Sequence, residues 1–301
     1  MKKLLITFLF FCLVLSSFAQ PGVTPDYANL NYAGDNLEAH QLDIYLPKSG
    51  LSKYKVVVII YGSAWFANNA KAMAFMSIGK PLLDAGFAVV SINHRSSGDA
   101  KFPAQINDVK AAIRFVRAYA DKYKLDTSFI GITGFSSGGH LSALAGVTNG
   151  VKTKTFGKTS VDIEGKVGNC LSQSSRVDAV VDWFGPVDMS RMENCATVKD
   201  AKSPEAALIG GAPADNPDMV KLISPIFYVN NKCPKFLVIH GTADSVVPYC
   251  QGENFSKQLK SVGKLAEFIS VTDGQHGPVT FNEGTFKKMC DFFLKESSSK
   301  R

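Results

Sequence analysis

Ser136 stands in Gly134-Phe135-Ser136-Ser137-Gly138, a G-x-S-x-G pentapeptide. An apolar run, 129–132, precedes it, and a small-residue run, 138–147, follows. That is the strand–turn–helix setting in which a serine hydroxyl is lifted clear of a sheet edge for nucleophilic attack. Glycines at 134 and 138 let strand and helix approach where a Cβ would clash. The amide of Ser137 then opens a helix and can donate to an oxyanion. A serine nucleophile needs a base, and the base needs an acid to orient it. Of the five histidines, His276 sits in a glycine-flanked loop, Asp273-Gly274-Gln275-His276-Gly277-Pro278, after the last apolar strand. It is the expected base, because chain order behind this motif runs Ser, acid, His. His40 reads as a surface residue and His94 as structural. His140 is locked to the helix behind Ser136, and His240 packs at a strand end. Asp244 closes Gly241-Thr242-Ala243-Asp244, directly after the penultimate strand, and is the expected acid. Asp273, nearer to His276 in sequence, suits a turn-capping role better. The segment Tyr61-Gly62-Ser63-Ala64-Trp65 ends an earlier strand and should give the second oxyanion donor, through the amide of Ser63 or Ala64.

These residues require a scaffold of strand ends. The run 42–46 alternates and stops at Pro47, which reads as an edge strand. The run 56–61 is continuously apolar and β-branched, the mark of a buried parallel strand. A helix is expected over about 72–85, closed by Gly86, and a strand over 87–92. From 103 to 123, Ile106, Val109, Ile113, Val116 and Tyr119 fall near helical spacing, with Lys110, Arg114 and Arg117 off that stripe. Further strands are expected at 129–132, 177–183, 236–239 and 265–271, and a last helix at about 282–294. Strands alternating with helices give an α/β class: a mainly parallel, wound sheet with helices on both faces. Ligands of such sheets bind beyond the carboxyl ends of the strands, where these loops fall. Residues 149–176 read as a polar surface excursion. Residues 185–235, with several prolines and short helical runs, read as a small cap over the site.

Residues 1–19 read as a signal peptide. Lys2 and Lys3 form a basic start, 4–15 a short apolar core, and Ser17-Phe18-Ala19 a cleavage site before Gln20. The apolar core is too short to span a bilayer, so a chain exported to a periplasm or the cell exterior is expected. The rest, 20–301, suits one α/β domain. The formal net charge of the 301 residues is +7, but the basic residues are dispersed. A lysine-rich patch at 152–158 reads as a solvated loop rather than a nucleic-acid surface. Beyond Cys12 the cysteines are Cys170, Cys195, Cys233, Cys250 and Cys290, with no C-x-x-C to suggest zinc. Export makes disulfides plausible. The expected pairings are Cys170 with Cys195 and Cys250 with Cys290.

Five stretches together carry a resemblance: 61–65, Phe102-Pro103-Ala104-Gln105-Ile106-Asn107-Asp108-Val109-Lys110-Ala111-Ala112-Ile113, Gly134-Phe135-Ser136-Ser137-Gly138-Gly139-His140-Leu141, Val181-Asp182-Trp183-Phe184-Gly185-Pro186 and His240-Gly241-Thr242-Ala243-Asp244. They span most of the chain after the leader. The chain resembles α/β-hydrolase esterases of the bacterial group related to hormone-sensitive lipase. Within that group it looks most like the bifunctional feruloyl and acetyl xylan esterase-like proteins. The resemblance implies the α/β-hydrolase fold, Ser136, Asp244 and His276 as a triad, and Trp65 or Trp183 near the substrate. Tyr61 departs from the histidine usual in the family. That histidine braces the oxyanion loop. A tyrosine either does the same or donates its phenol to the oxyanion, as in prolyl-oligopeptidase-like hydrolases.

The reaction implied is acyl transfer to water on acetylated or feruloylated xylan fragments, without metal or organic cofactor. Two other readings stay open at this point. One is a peptidase of the prolyl-oligopeptidase type, favoured by Tyr61. The other is a catalytically silent binding protein on the same fold.

Overall fold

The computed structural model describes residues 23–193, 195 and 200–299. The expected signal peptide, 1–19, lies outside them. Along the chain come β1 (Tyr27–Asn31), β2 (Gln41–Tyr45), β3 (Tyr54–Ile60), α1 (Lys71–Ala74), a π turn (Phe75–Gly79), α2 (Lys80–Asp84), β4 (Ala88–Ile92), α3 (Ala104–Ala118), β5 (Leu125–Phe135) and α4 (Ser137–Val147). The second half adds β6 (Thr153–Phe156), β7 (Thr159–Asp162), β8 (Ala179–Trp183), α5 (Pro204–Ile209), α6 (Pro217–Ile223), β9 (Lys235–Gly241), α7 (Cys250–Ser261), β10 (Leu265–Val271) and α8 (Glu283–Ser298).

Eight strands form one sheet in the order β1-β2-β4-β3-β5-β8-β9-β10. β1 and β2 enter antiparallel, and every pair from β4 to β10 is parallel. The strand at 42–46 is therefore interior, not an edge: β1 covers its outer side. Pro47 lies beyond β2 and removes no ladder bond, so it is compatible with that place.

β3 shows how the sheet separates two cores. Val56, Val58 and Ile60 point into one, with Ile106, Val109 and Ile113 of α3, Leu141 and Leu144 of α4, and Phe255 and Leu259 of α7. Val57, Ile59 and Tyr61 point into the other, with Ile78, Leu82 of α2, and Met289 and Phe293 of α8. Period-two alternation with both faces buried is what a central parallel strand requires. Complete burial of one such side chain stabilises by about 1.5–3 kcal/mol.

The helix expected over 72–85 is split by the π turn and ends at Gly86, whose φ of +93° suits glycine. α3 stops at Ala118, short of 123. Its Lys110 and Arg114 are buried because Glu164 reaches them, at 3.2 and 2.6 Å. Stretch 149–176 is thus more than an excursion. It carries the β6–β7 hairpin and covers one flank of α3.

The disulfide expectations are overturned. Cys195 bonds to Cys250, while Cys170, Cys233 and Cys290 are free. Cys250 opens α7 and Cys290 lies on α8, and those helices pack into the cores on opposite faces of the sheet. No bridge can span that separation. No helix among the described residues is long and apolar enough to cross a membrane.

Candidate active site

Three parallel strands of one sheet, β5, β9 and β10, end on the same side, with β8 between the first two, and the segment after each delivers one polar side chain. β5 turns sharply into α4 at Ser136, which adopts φ +55° and ψ −126°. A left-handed φ at a serine costs on the order of 1–3 kcal/mol and survives only where surroundings enforce it. Here Ser136 N–H donates to the Trp183 carbonyl at 3.0 Å, and the Ser136 carbonyl accepts from His140 N–H at 3.0 Å. Gly134 and Gly138 make the turn possible. A Cβ on Gly134 would strike the Gly138 backbone, and one on Gly138 would strike the Ile60 and Tyr61 carbonyls.

Asp244 lies just past β9 and His276 just past β10. Ser136 O–H donates to His276 Nε2 at 2.9 Å, and His276 Nδ1–H donates to Asp244 Oδ2 at 2.8 Å. The other carboxylate oxygen, Oδ1, accepts from the amides of Val246 and Val247, both at 2.9 Å. Burial pushes the Asp244 carboxyl up, but the His276 contact and these two amides outweigh it and hold it below the ordinary carboxylate range. His276 also packs on Phe184, ring centres 4.7 Å apart. Asp273 is exposed at φ +56°, a turn position.

Of the two amides expected to face an oxyanion from loop 61–65, the structure leaves one open. Ser63 N–H is already engaged: it donates to Ser137 Oγ at 2.8 Å. The Ala64 amide has no hydrogen bond among the described residues, and neither Ala64 nor Trp65 has ordinary backbone geometry, with φ +49° and +62°. The Ser137 amide is the first of α4 and has no partner within the helix. The amides of Ala64 and Ser137, residues that line the same cavity as Ser136, therefore remain open. Tyr61 is fully buried, and its phenol donates to the Ala67 carbonyl at 3.2 Å while its ring stacks on His94 at 4.8 Å. Burial pushes that phenol up. It braces the loop from behind rather than pointing at the serine.

The two tryptophans part company. Trp65 lines a cavity of about 380 Å³ beside Ser136. Trp183 is core, packed against Phe281 and Phe286. Its place next to a family motif says nothing about which way an alternating strand turns it. His140 does not reach Ser136 as a base, but it supports the cavity wall. Trp65 Nε1–H donates to His140 Nδ1 at 3.1 Å, and His140 Nε2–H donates to the Ile223 carbonyl at 2.7 Å. Burial pulls the imidazole down to about 4, so it stays neutral. His240 donates to the Val247 carbonyl at 3.0 Å and steadies the loop that presents Asp244. His40 is not a surface residue. It is buried between Asp35 and Asp108, at 2.7 and 3.3 Å, because the chain at 32–40 folds back over it.

Described residues of the stretch 185–234 form the roof of the cavity, with Met192, Ser203, Pro204 and Glu205 in its lining. Roof residues, Phe184 and the His140–Trp65 pair escaped the sequence reading, since only the fold brings them to Ser136. No group of three or more His, Cys, Asp or Glu with the geometry to hold a metal ion occurs among the described residues.

The family model described as BD-FAE matches residues 42–259. Esterase LipQ of Mycobacterium tuberculosis is 33% identical over 210 residues, 69% of this chain and 46% of that protein. Esterase LipC of the same organism is 30% identical over 241 residues, 79% of this chain and 57% of its own. The chain thus spans about half the length of the curated relatives it matches. Among solved structures, a bifunctional GH43-CE of Bacteroides eggerthii shares 69% identity at a TM-score of 0.89, over 90% of this chain and 35% of that one. A truncated form of carbohydrate esterase from gut microbiota shares 62% identity at a TM-score of 0.91, over 93% and 99%.

Proposed function

We propose, for a chain that belongs to the BD-FAE family, that it is an exported serine esterase with Ser136, His276 and Asp244 as its triad. Its substrates are acetyl or feruloyl esters on xylan-type polysaccharide. The observation that carries this reading is the unbroken relay from Ser136 Oγ through His276 to Asp244, at 2.9 and 2.8 Å. As Oγ attacks the ester carbonyl, His276 Nε2 takes its proton. The carbonyl oxygen, now negative, lies toward the open amides of Ala64 and Ser137. His276 returns the proton to the departing sugar oxygen, leaving an acyl-serine. Water, deprotonated by the same imidazole, then releases the acid and restores the serine. Asp244 holds Nδ1–H in place and stabilises the imidazolium in both steps. None of these steps requires a metal or an organic cofactor.

The sugar side of the reading leans on the similarity to carbohydrate esterases. Export leans on the leader and agrees with a Cys195–Cys250 bridge, which persists in oxidising compartments. The peptidase reading rested on a phenol at the oxyanion, and the Tyr61–Ala67 contact removes that support.

The test is acid release by residues 20–301, beside Ser136→Ala, from acetylated xylan and a feruloylated arabinoxylan oligosaccharide. Release of either acid that vanishes in the variant is the expected result. No release from either, with an aryl acetate still cleaved, would leave a serine esterase and overturn the xylan assignment.

A further inference from the structure

Two cavities meet at Ser136. The first, about 380 Å³, has Ala64, Trp65, Ser137, Met192, Glu205 and Val247 in its lining. The second, about 310 Å³, is bounded by Phe135, Phe184, His276, Gly277 and Phe281. The chemistry assigns them. A leaving oxygen must sit within reach of His276 Nε2 to receive its proton, so the alcohol occupies the cavity that His276 lines. The acyl group then lies across the serine, in the first. An acetyl methyl fills little of that space. Its volume falls in the range of pockets that hold ring-sized ligands, about 300–1,000 Å³, and Trp65 and Met192 give it flat, apolar walls.

One group in this cavity is out of keeping with the rest of the protein. Glu205 is only 5% exposed, yet its carboxylate makes no ion pair or hydrogen bond among the described residues. The other buried carboxylates among the described residues all have donors. Asp43 meets Lys71, Asp108 meets Arg95, Asp182 accepts from the Gly185 amide, Asp188 from Ser190, and Asp244 from His276. The Glu205 oxygens are not among the polar atoms sealed in without a partner, so they keep some opening, and Glu205 lines this cavity. A buried carboxylate can only accept, and leaving it bare is costly. A ligand that fits here therefore brings a donor.

We propose that Glu205 sets the acyl specificity: it accepts a hydrogen bond from the free ring hydroxyl of a hydroxycinnamoyl group whose ring lies along Trp65 and Met192. This rests on the esterase reading and narrows it to hydroxylated aromatic acids.

The test compares methyl p-coumarate, which carries a free 4-hydroxyl, with methyl 4-methoxycinnamate, which does not, in wild type, Glu205→Leu and Glu205→Gln. Wild type should prefer the hydroxyl ester in kcat/KM by roughly ten- to hundredfold, the worth of a hydrogen bond to a charged acceptor. Glu205→Leu should bring the ratio near one. Glu205→Gln, nearly isosteric and still an acceptor, should keep part of it and guards against a folding defect in the leucine variant. Calorimetric binding of the same two esters to Ser136→Ala, with and without the Glu205 changes, gives the ratio without turnover. A wild type that cleaves no ester would sink the esterase reading alone, because the binding ratio still decides the role of Glu205. No hydroxyl preference in wild type, or a preference that survives Glu205→Leu, overturns the proposal.

Discussion

Beneath Ser136 lie the ends of β5, β9 and β10, tied to one another through β8 by continuous parallel pairing. Above it lie the described residues of 185–234, which contribute no strand to the sheet. The floor gets its geometry from ladder hydrogen bonds, so residues distant in sequence arrive in register. The roof is held by separate ties. Cys195 is bonded to Cys250. Buried Gln251 accepts from the amides of Val187 and Asp188 and donates to the carbonyls of Asp188 and Arg191. His140 holds the Ile223 carbonyl. The difference teaches that reaction and selectivity have separate supports in this protein. The relay depends on the sheet, whereas the shape of the 380 Å³ cavity depends on a few ties that can be changed one at a time.

Damage to the floor should have the largest consequence. Ser136→Ala should lower kcat on an aryl acetate by on the order of 10⁵–10⁶ with an unchanged circular dichroism spectrum. Asp244→Asn should lower it by about 10⁴, because the amide favours the wrong imidazole tautomer. A loss under tenfold in either would break the assignment of the floor.

Asp182, under the turn beside Ser136, tests the floor through pH. Burial raises its carboxyl to about 7, although the Gly185 amide donates to it. The unfolded chain gives up this proton near pH 4 and the folded chain only near 7. Folding is therefore opposed progressively as pH rises through that window, then by a constant amount of on the order of 4 kcal/mol. Asp182→Asn should be more stable than wild type, by a margin that widens from pH 4 to 7 and is flat above. Thermal melts across that range would show it, and a constant margin would contradict the buried, protonated state.

A change to the roof should act differently. Gln251→Ala strands two amides and two carbonyls. It should lower stability by about 2–4 kcal/mol and raise KM for a bulky aryl acyl ester several-fold more than KM for an acetate. An equal rise in KM for both esters would mean that roof and floor are not separable. The smallest effect is expected at Tyr61→Phe. A phenol that braces the loop predicts kcat within about threefold of wild type, whereas a lost oxyanion donor costs ~10²–10³.

What the sequence disclosed follows the same division. Gly134 and Gly138 around Ser136, and polar residues directly after apolar runs at 244 and 276, mark strand ends locally. The structure brings those three side chains into hydrogen-bonding reach. The parallel sheet was legible from the continuous apolar run 56–61 of β3 and from the shorter apolar runs within β4 and β9. What escaped depends on partners far away in sequence. Alanine and tryptophan give no local sign of a left-handed backbone, so the turn at Ala64 and Trp65 was hidden, as was the capture of the Ser63 amide by Ser137. Lys110 and Arg114 are buried only because Glu164 returns to meet them. Cysteine spacing could not reveal that α7 and α8 lie on opposite faces, and β1 shows no alternation strong enough to mark the true sheet edge. Glu205, in a short roof helix, looks like any surface acid until the cavity is seen.

The most direct measurement is covalent labelling of the folded, wild-type protein with a fluorophosphonate, read by intact mass and peptide mapping. One adduct on Ser136, formed far more slowly in Asp244→Asn, is the result expected of a serine activated through His276 and Asp244. An unlabelled wild type, or an adduct on any other residue, would contradict it.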